Sequence, residues 1–128
     1  MTNSAIIEKF IVGRVEPHIY AFETGTVPNY LKIGDTYRPV ETRLNEWRRY
    51  FVDLQKRYDE PATAGDEYFR DLSVHEYIIR EKGCKRLEKT TLPNIPYYSN
   101  EFFENATTDD VNEAIQDIRK SATDKGGR

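Results

Sequence analysis

The stretch His18-Ile19-Tyr20-Ala21-Phe22, followed after a turn by Tyr30-Leu31-Lys32-Ile33-Gly34 and then by a helical segment carrying Arg43, sets the fold of this chain. Side chains along a strand alternate between two faces, so Ile19 and Ala21 point one way while His18, Tyr20 and Phe22 point the other. Leu31 and Ile33 likewise oppose Tyr30 and Lys32. A hairpin with Ile19, Ala21, Leu31 and Ile33 in the core brings Tyr20 and Lys32 together on the opposite face. A hairpin that serves only as scaffold has no use for that chemistry, so the second face is the candidate site, expected as one solvent-open pocket shared with Arg43.

Outward from the hairpin, Gly25 and Pro28 suit the connecting residues 23–29 to a turn. Residues 39–51 read as a helix, with Pro39 at its first position and Val40, Leu44, Trp47 and Phe51 in one apolar stripe. Arg43 lies at the edge of that stripe, where a guanidinium either reaches water or meets an anion. Residues 52–62 alternate loosely and suit a third strand. Ser73 and Glu76 have capping-box spacing for a helix over 73–82, with Asp71 the alternative cap and Gly83 the stop. Residues 92–98 form a connector into Asn100-Glu101-Phe102-Phe103, and Thr108 caps a helix carrying Val111, Ala114, Ile115 and Ile118 on one face. Ahead of the hairpin, Ser4 caps a packing helix over residues 4–13. Residues 1–120 thus read as one domain, and residues 121–128 as a polar linker or tail leading to a further domain.

The chain of 128 residues supports one core, and its 38% hydrophobic content is low, so 9 Tyr, 6 Phe and 1 Trp must supply much of the core volume. A formal charge of -3 argues against a free-standing, tightly binding nucleic-acid module, because phosphate neutralisation supplies most non-specific affinity. Contacts to phosphate must come from local patches or from another domain. Arg80, Lys82, Lys85, Arg86 and Lys89 form one such excess over Glu81 and Glu88, and Arg48, Lys85 and Arg86 are the candidate nucleic-acid contacts. The single cysteine, Cys84, excludes an internal disulfide and a Cys-rich zinc site, and with no signal peptide or long apolar run a cytoplasmic location without membrane contact is expected.

The string HIYAFETGTVPNYLKIGDTYRPVETRL resembles the GIY-YIG nuclease superfamily, and more closely its phage-type branch, whose second motif reads K-I-G. The first motif corresponds to Ile19-Tyr20 with His18 in place of glycine, and the second to Ile33-Gly34 with Lys32 in place of tyrosine. The helix arginine falls on Arg43. Glu101-Phe102-Phe103 resembles a late element of the same branch, so the similarity runs over about residues 15 to 118. The resemblance implies an α+β fold with a small, mostly antiparallel three-stranded sheet flanked by helices. It implies a metal-dependent DNA endonuclease of the kind attached to helicase or restriction proteins, with DNA as partner.

Phosphodiester hydrolysis needs an activated water, charge neutralisation on the phosphoryl oxygens and help for the leaving oxygen. By the resemblance, Tyr20 orients or activates water, Arg43 stabilises the phosphate, and a carboxylate holds Mg2+ or Mn2+. Lys32, in the second tyrosine's place, acts on Tyr20 or on a phosphate oxygen. Glu101 is the first choice as metal ligand and Asp71 the second, with Glu76 a further candidate. His75 reads either as a general base or as a hydrogen-bonded structural histidine. Trp47 and Tyr97-Tyr98 are residues that stack on bases and equally residues that fill a core. Because His18 and Lys32 depart from the family motifs, the rival function is a catalytically inactive binding or interaction module.

Overall fold

The computed structural model describes residues 16–126, so the helix expected over residues 4–13 lies outside the described residues. Strand β1 (His18–Glu23) occupies the middle of the hairpin region, paired antiparallel with β2 (Tyr30–Thr36) on one side and β3 (Gln55–Pro61) on the other. After two short strands, β4 (Thr63–Ala64) and β5 (Glu67–Tyr68), which pair only with each other, the main sheet is completed by β6 (Lys85–Arg86) and β7 (Phe102–Glu104). Its order is β3-β1-β2-β7-β6 and every pair is antiparallel. Among the described residues five strands therefore make the main sheet where three were expected; β6 and β7 are too short to declare themselves by alternation.

Among the described residues three helices cover the sheet: α1 (Val40–Trp47), α2 (Asp71–Lys82) and α3 (Thr108–Gly126). On one face Ile19, Ala21, Leu31, Ile33 and Phe103 meet Val74 and Ile78 of α2 and Val111, Ala114 and Ile115 of α3. On the other, Tyr20, Phe22 and Phe102 meet Val40, Leu44 and Trp47 of α1 together with Phe51 and Leu54. The hairpin thus has the expected inner and outer sets, but both are inside. The second core is built from rings: Phe22 lies 5.9 Å from Trp47 and 6.0 Å from Phe102, the latter nearly edge-on at 87°. These are preferred aromatic geometries, and they explain how a chain poor in aliphatic residues closes two cores.

Each helix start differs in detail from the sequence expectation. Pro39 sits at the cap of α1 rather than inside it, and the apolar stripe continues past Trp47 through a turn in which the Phe51 N–H donates to the Trp47 carbonyl at 2.9 Å. Neither Ser73 nor Asp71 caps α2. Arg70 occupies the cap position, and the orphan N–H of Asp71 donates to the Asp35 carboxylate of β2 at 2.8 Å. Gly83 closes the helix in the left-handed region at φ 68°, which glycine adopts without a Cβ clash. For α3 the cap is Thr107, one residue earlier than expected: its hydroxyl accepts from the Asp110 N–H at 3.1 Å and its own N–H donates back to Asp110 at 3.0 Å. The helix then runs to Gly126, so residues 121–126 continue α3 rather than forming a tail.

Candidate active site

Register places Tyr20 opposite Gly34 and Phe22 opposite Lys32, so the phenol and the ammonium share the aromatic face. A Cβ at Gly34 would come within 2.8 Å of the Tyr20 hydroxyl and 2.9 Å of Lys32 Nζ, so the glycine makes room for both heads. Trp47, carried over them by α1, donates its indole N–H to the Tyr20 hydroxyl oxygen at 2.8 Å. Lys32 Nζ approaches the same oxygen at 3.5 Å and donates to Glu101 Oε1 at 2.7 Å. Two donors converge on the phenol oxygen, which leaves its own proton for a third acceptor. Tyr20 and Lys32 are 1% and 0% exposed. The expectation of a solvent-open pocket is therefore corrected: Trp47 roofs the pair, and the cluster reaches solvent through the side chains of Glu101, 31% exposed, and Arg43, 34% exposed.

Arg43 joins the cluster through that roof. Its guanidinium carbon lies 4.8 Å from the Trp47 ring centroid, and Lys32 Nζ lies 4.2 Å from the same centroid, both within cation–π range. Arg43 also donates to Glu46 at 2.9 Å, a carboxylate that Arg38 clamps with two further bonds of 2.7 and 2.6 Å. The hydrogen bonds from Arg38 and Arg43 hold Glu46 down at about 2 against burial.

The acid side of the site comes from three elements. Asp35 of β2 accepts from Arg70 Nε at 2.7 Å as well as from the Asp71 N–H, and this fixes the first turn of α2 against the sheet. Asp71 then shares a hydrogen bond with Glu101, which precedes β7. Burial, reinforced by the hydrogen bond to Glu101 and its charge, pushes Asp71 up to about 7. Burial also acts to raise Glu101, but the Lys32 ammonium outweighs it and Glu101 falls below its ordinary value. The proton of the carboxyl pair therefore resides on Asp71.

A sequence model of the T5orf172 domain matches residues 17–119, most of the chain, from β1 into α3. The chain belongs to the T5orf172 domain family. This is a phage-associated family with a GIY-YIG-like, nuclease-type fold, nuclease-like and DNA-binding at the coarse level. No curated protein and no solved structure matches the chain.

Within this T5orf172 domain the remaining expected residues disperse. His75 lies on the aliphatic face, 2% exposed, where its Nε2 bonds the Ile33 carbonyl at 2.8 Å and its ring packs 4.7 Å from Phe103. Burial lowers it to about 4, so at neutral pH it is an uncharged N–H donor to backbone; the role of general base gives way to a structural one. Arg48 turns to Asn45 at 2.6 Å and Glu41 at 3.6 Å. Lys85 and Arg86 sit on the edge strand β6, with Arg86 donating to the Asn100 carbonyl at 2.8 Å. Two residues of the cluster carried no role in the sequence: Asp35, whose cap partner is remote in the chain, and Glu46. Trp47 had a signal, since a buried indole N–H needs an acceptor.

Among the described residues no group of three or more His, Cys, Asp or Glu is arranged to hold a metal ion. Asp71 and Glu101 nevertheless offer two hard oxygen ligands at the partly exposed edge of the site, and Mg2+ keeps most of its waters and accepts one or two carboxylates. The donor set fits such an ion once Asp71 gives up the proton it shares with Glu101. No helix among the described residues is long and apolar enough to cross a membrane.

Proposed function

We propose that this T5orf172 domain is a metal-dependent DNA endonuclease, a phosphodiester hydrolase working as the nuclease head of a larger helicase- or restriction-type protein. The observation that carries the reading is the Lys32 ammonium, 0% exposed, set between the Tyr20 hydroxyl and Glu101 under Trp47. An apolar side chain of the same volume would fill that position at least as stably, because desolvating an ion pair offsets its Coulomb gain. The polar cluster is thus better accounted for by chemistry than by packing. In this reading Tyr20 orients the attacking water with the one proton its neighbours leave free. Lys32 fixes Tyr20 and Glu101 relative to each other, and Arg43 stabilises the phosphoryl oxygens. Asp71 and Glu101 would hold Mg2+ or Mn2+, which when bound supplies Lewis-acid charge at the phosphate.

The rival reading is a binding module without activity, and the closure of Trp47 over Tyr20 together with the engagement of Arg43 by Glu46 favours it. Nicking of supercoiled plasmid separates the two. Mg2+-dependent nicking that EDTA and Tyr20→Phe abolish is expected, with Arg43→Ala slowing single turnover by roughly 10²- to 10³-fold and Arg43→Lys recovering part. Absence of nicking with either metal by folded protein, or a loss in Arg43→Ala matched by its loss of folded fraction, sinks the endonuclease.

A further inference from the structure

The turn after α1 leaves aromatic surface that neither core requires. Tyr50 and Tyr97 are 42% and 46% exposed, although their rings lie only 4.7 Å apart with a tilt of 34°. Tyr97 comes from the connector before β7 and also meets Trp47 edge-on at 5.7 Å, so this small aromatic surface is contiguous with the roof of the active site. Arg43, Glu46, Trp47, Arg49, Tyr50 and Tyr97 line a concavity of about 200 Å3. That is below the size of a pocket for a drug-like ligand and suits one flat ring system. Its charge is positive: Glu46 is already shared by Arg38 and Arg43, whereas Arg49 is exposed and makes no side-chain hydrogen bond or ion pair among the described residues.

A planar face beside an uncommitted guanidinium matches a nucleobase with its phosphate. The net charge of -3 sharpens the match, because a chain with little general attraction for phosphate gains most from contacts that do not depend on it. We propose that Tyr50, Tyr97 and Arg49 form a binding site for a single unstacked nucleotide of the substrate strand, next to the phosphate that Arg43 faces. The inference rests on the endonuclease reading for the position of that phosphate. Stacking on Tyr97 and Tyr50 holds the base, and Arg49 takes the flanking phosphate. The substrate class is then nucleic acid with an unpaired or extrudable base in preference to uniform duplex.

The test uses the full chain in EDTA with oligonucleotides carrying one 2-aminopurine, either in a single-base bulge, in a fully paired duplex, or in single-stranded DNA and RNA of the same sequence. Binding to the bulge and to one or both single strands should quench the probe, with weaker binding and less quenching for the paired duplex. Tyr97→Ala should remove the quenching and weaken binding roughly 5- to 100-fold, and Tyr97→Phe should retain both. Arg49→Ala, at an exposed position, should keep the fold and flatten the salt dependence. If Tyr97→Ala melts early, Tyr97→Leu gives the same comparison with the volume filled. Absence of quenching by the wild-type chain, or equal affinity of wild type and Tyr97→Leu, overturns the site, as does equal binding of bulged and paired duplex. Plasmid nicking with Mg2+ on the same proteins keeps the two ideas apart: nicking without quenching removes the nucleotide site alone, and quenching without nicking removes the endonuclease alone.

Discussion

Among the described residues each face of the sheet buries one basic side chain, and the two faces treat it in opposite ways. On the aliphatic face His75 is neutral, pinned by one bond to the Ile33 carbonyl and packed on Phe103. On the aromatic face Lys32 is ion-paired with Glu101 and touches Tyr20 and Trp47. A neutral imidazole needs only a carbonyl, so the first face completes itself from within the core. A buried ammonium needs an anion, so the second face draws a partly exposed carboxylate, and with it solvent, to the margin of its core. The difference marks the first as scaffold and the second as an arrangement that the fold does not demand.

The sharpest way to break this contrast is to strand the ammonium. Glu101→Gln leaves Lys32 buried without its counter-charge and should cost about 3–5 kcal/mol, while Lys32→Met should stay within about 1 kcal/mol of wild type. The double variant should return to the level of Lys32→Met. Urea unfolding of the four proteins measures this, and equal losses in both single variants would mean that Lys32 is held by packing rather than by charge.

The scaffold face makes the complementary prediction through pH. Because burial lowers His75 to about 4 from an ordinary 6.5, its neutral form stabilises the fold above pH 6.5, and that contribution is lost as pH falls through 4. A displacement of this size is worth about 3 kcal/mol. His75→Gln keeps an N–H for the Ile33 carbonyl and cannot titrate, so its stability curve should fall less steeply than wild type between those pH values. Parallel curves would show that the imidazole does not titrate with folding.

A more modest destabilisation separates position from stability. In Gly34→Ala the new Cβ meets the Tyr20 hydroxyl and Lys32 Nζ at under 3 Å, an overpacking that costs about 1–3 kcal/mol. Cleavage should fall further than folded fraction does, because the two heads are displaced from each other. Thermal melts alongside single-turnover nicking read the two quantities on one sample.

The hairpin is legible in the sequence because alternation sorts Ile19, Ala21, Leu31 and Ile33 from Tyr20 and Lys32 without reference to anything distant. What covers the second face is not, since the same pattern serves a wet surface and a face buried under an aromatic helix. Helix α2 shows the same limit: its cap is a carboxylate on β2, so the local Ser73 and Glu76 spacing pointed to the wrong start. Strands of two and three residues carry no period at all. At the site, Tyr20, Lys32, Arg43 and Glu101 come to one cluster with Trp47 as the link, and His75 is separated from them only by which side of the sheet α2 packs on.

Asp35 gives the arrangement a mechanical property. By bonding both Arg70 and the first N–H of α2 it acts as a locating pin between helix and sheet. Asp71 rides on the pinned helix, whereas Glu101 hangs from the sheet through the bond between the Ile33 N–H and its own carbonyl at 2.9 Å. The gap between the two carboxyl groups is therefore a gauge of helix against sheet. A slip of α2 by a fraction of a turn changes that gap along with the packing of Val74 and Ile78, so strain on the helix is felt at the pair of acids as well as in the core.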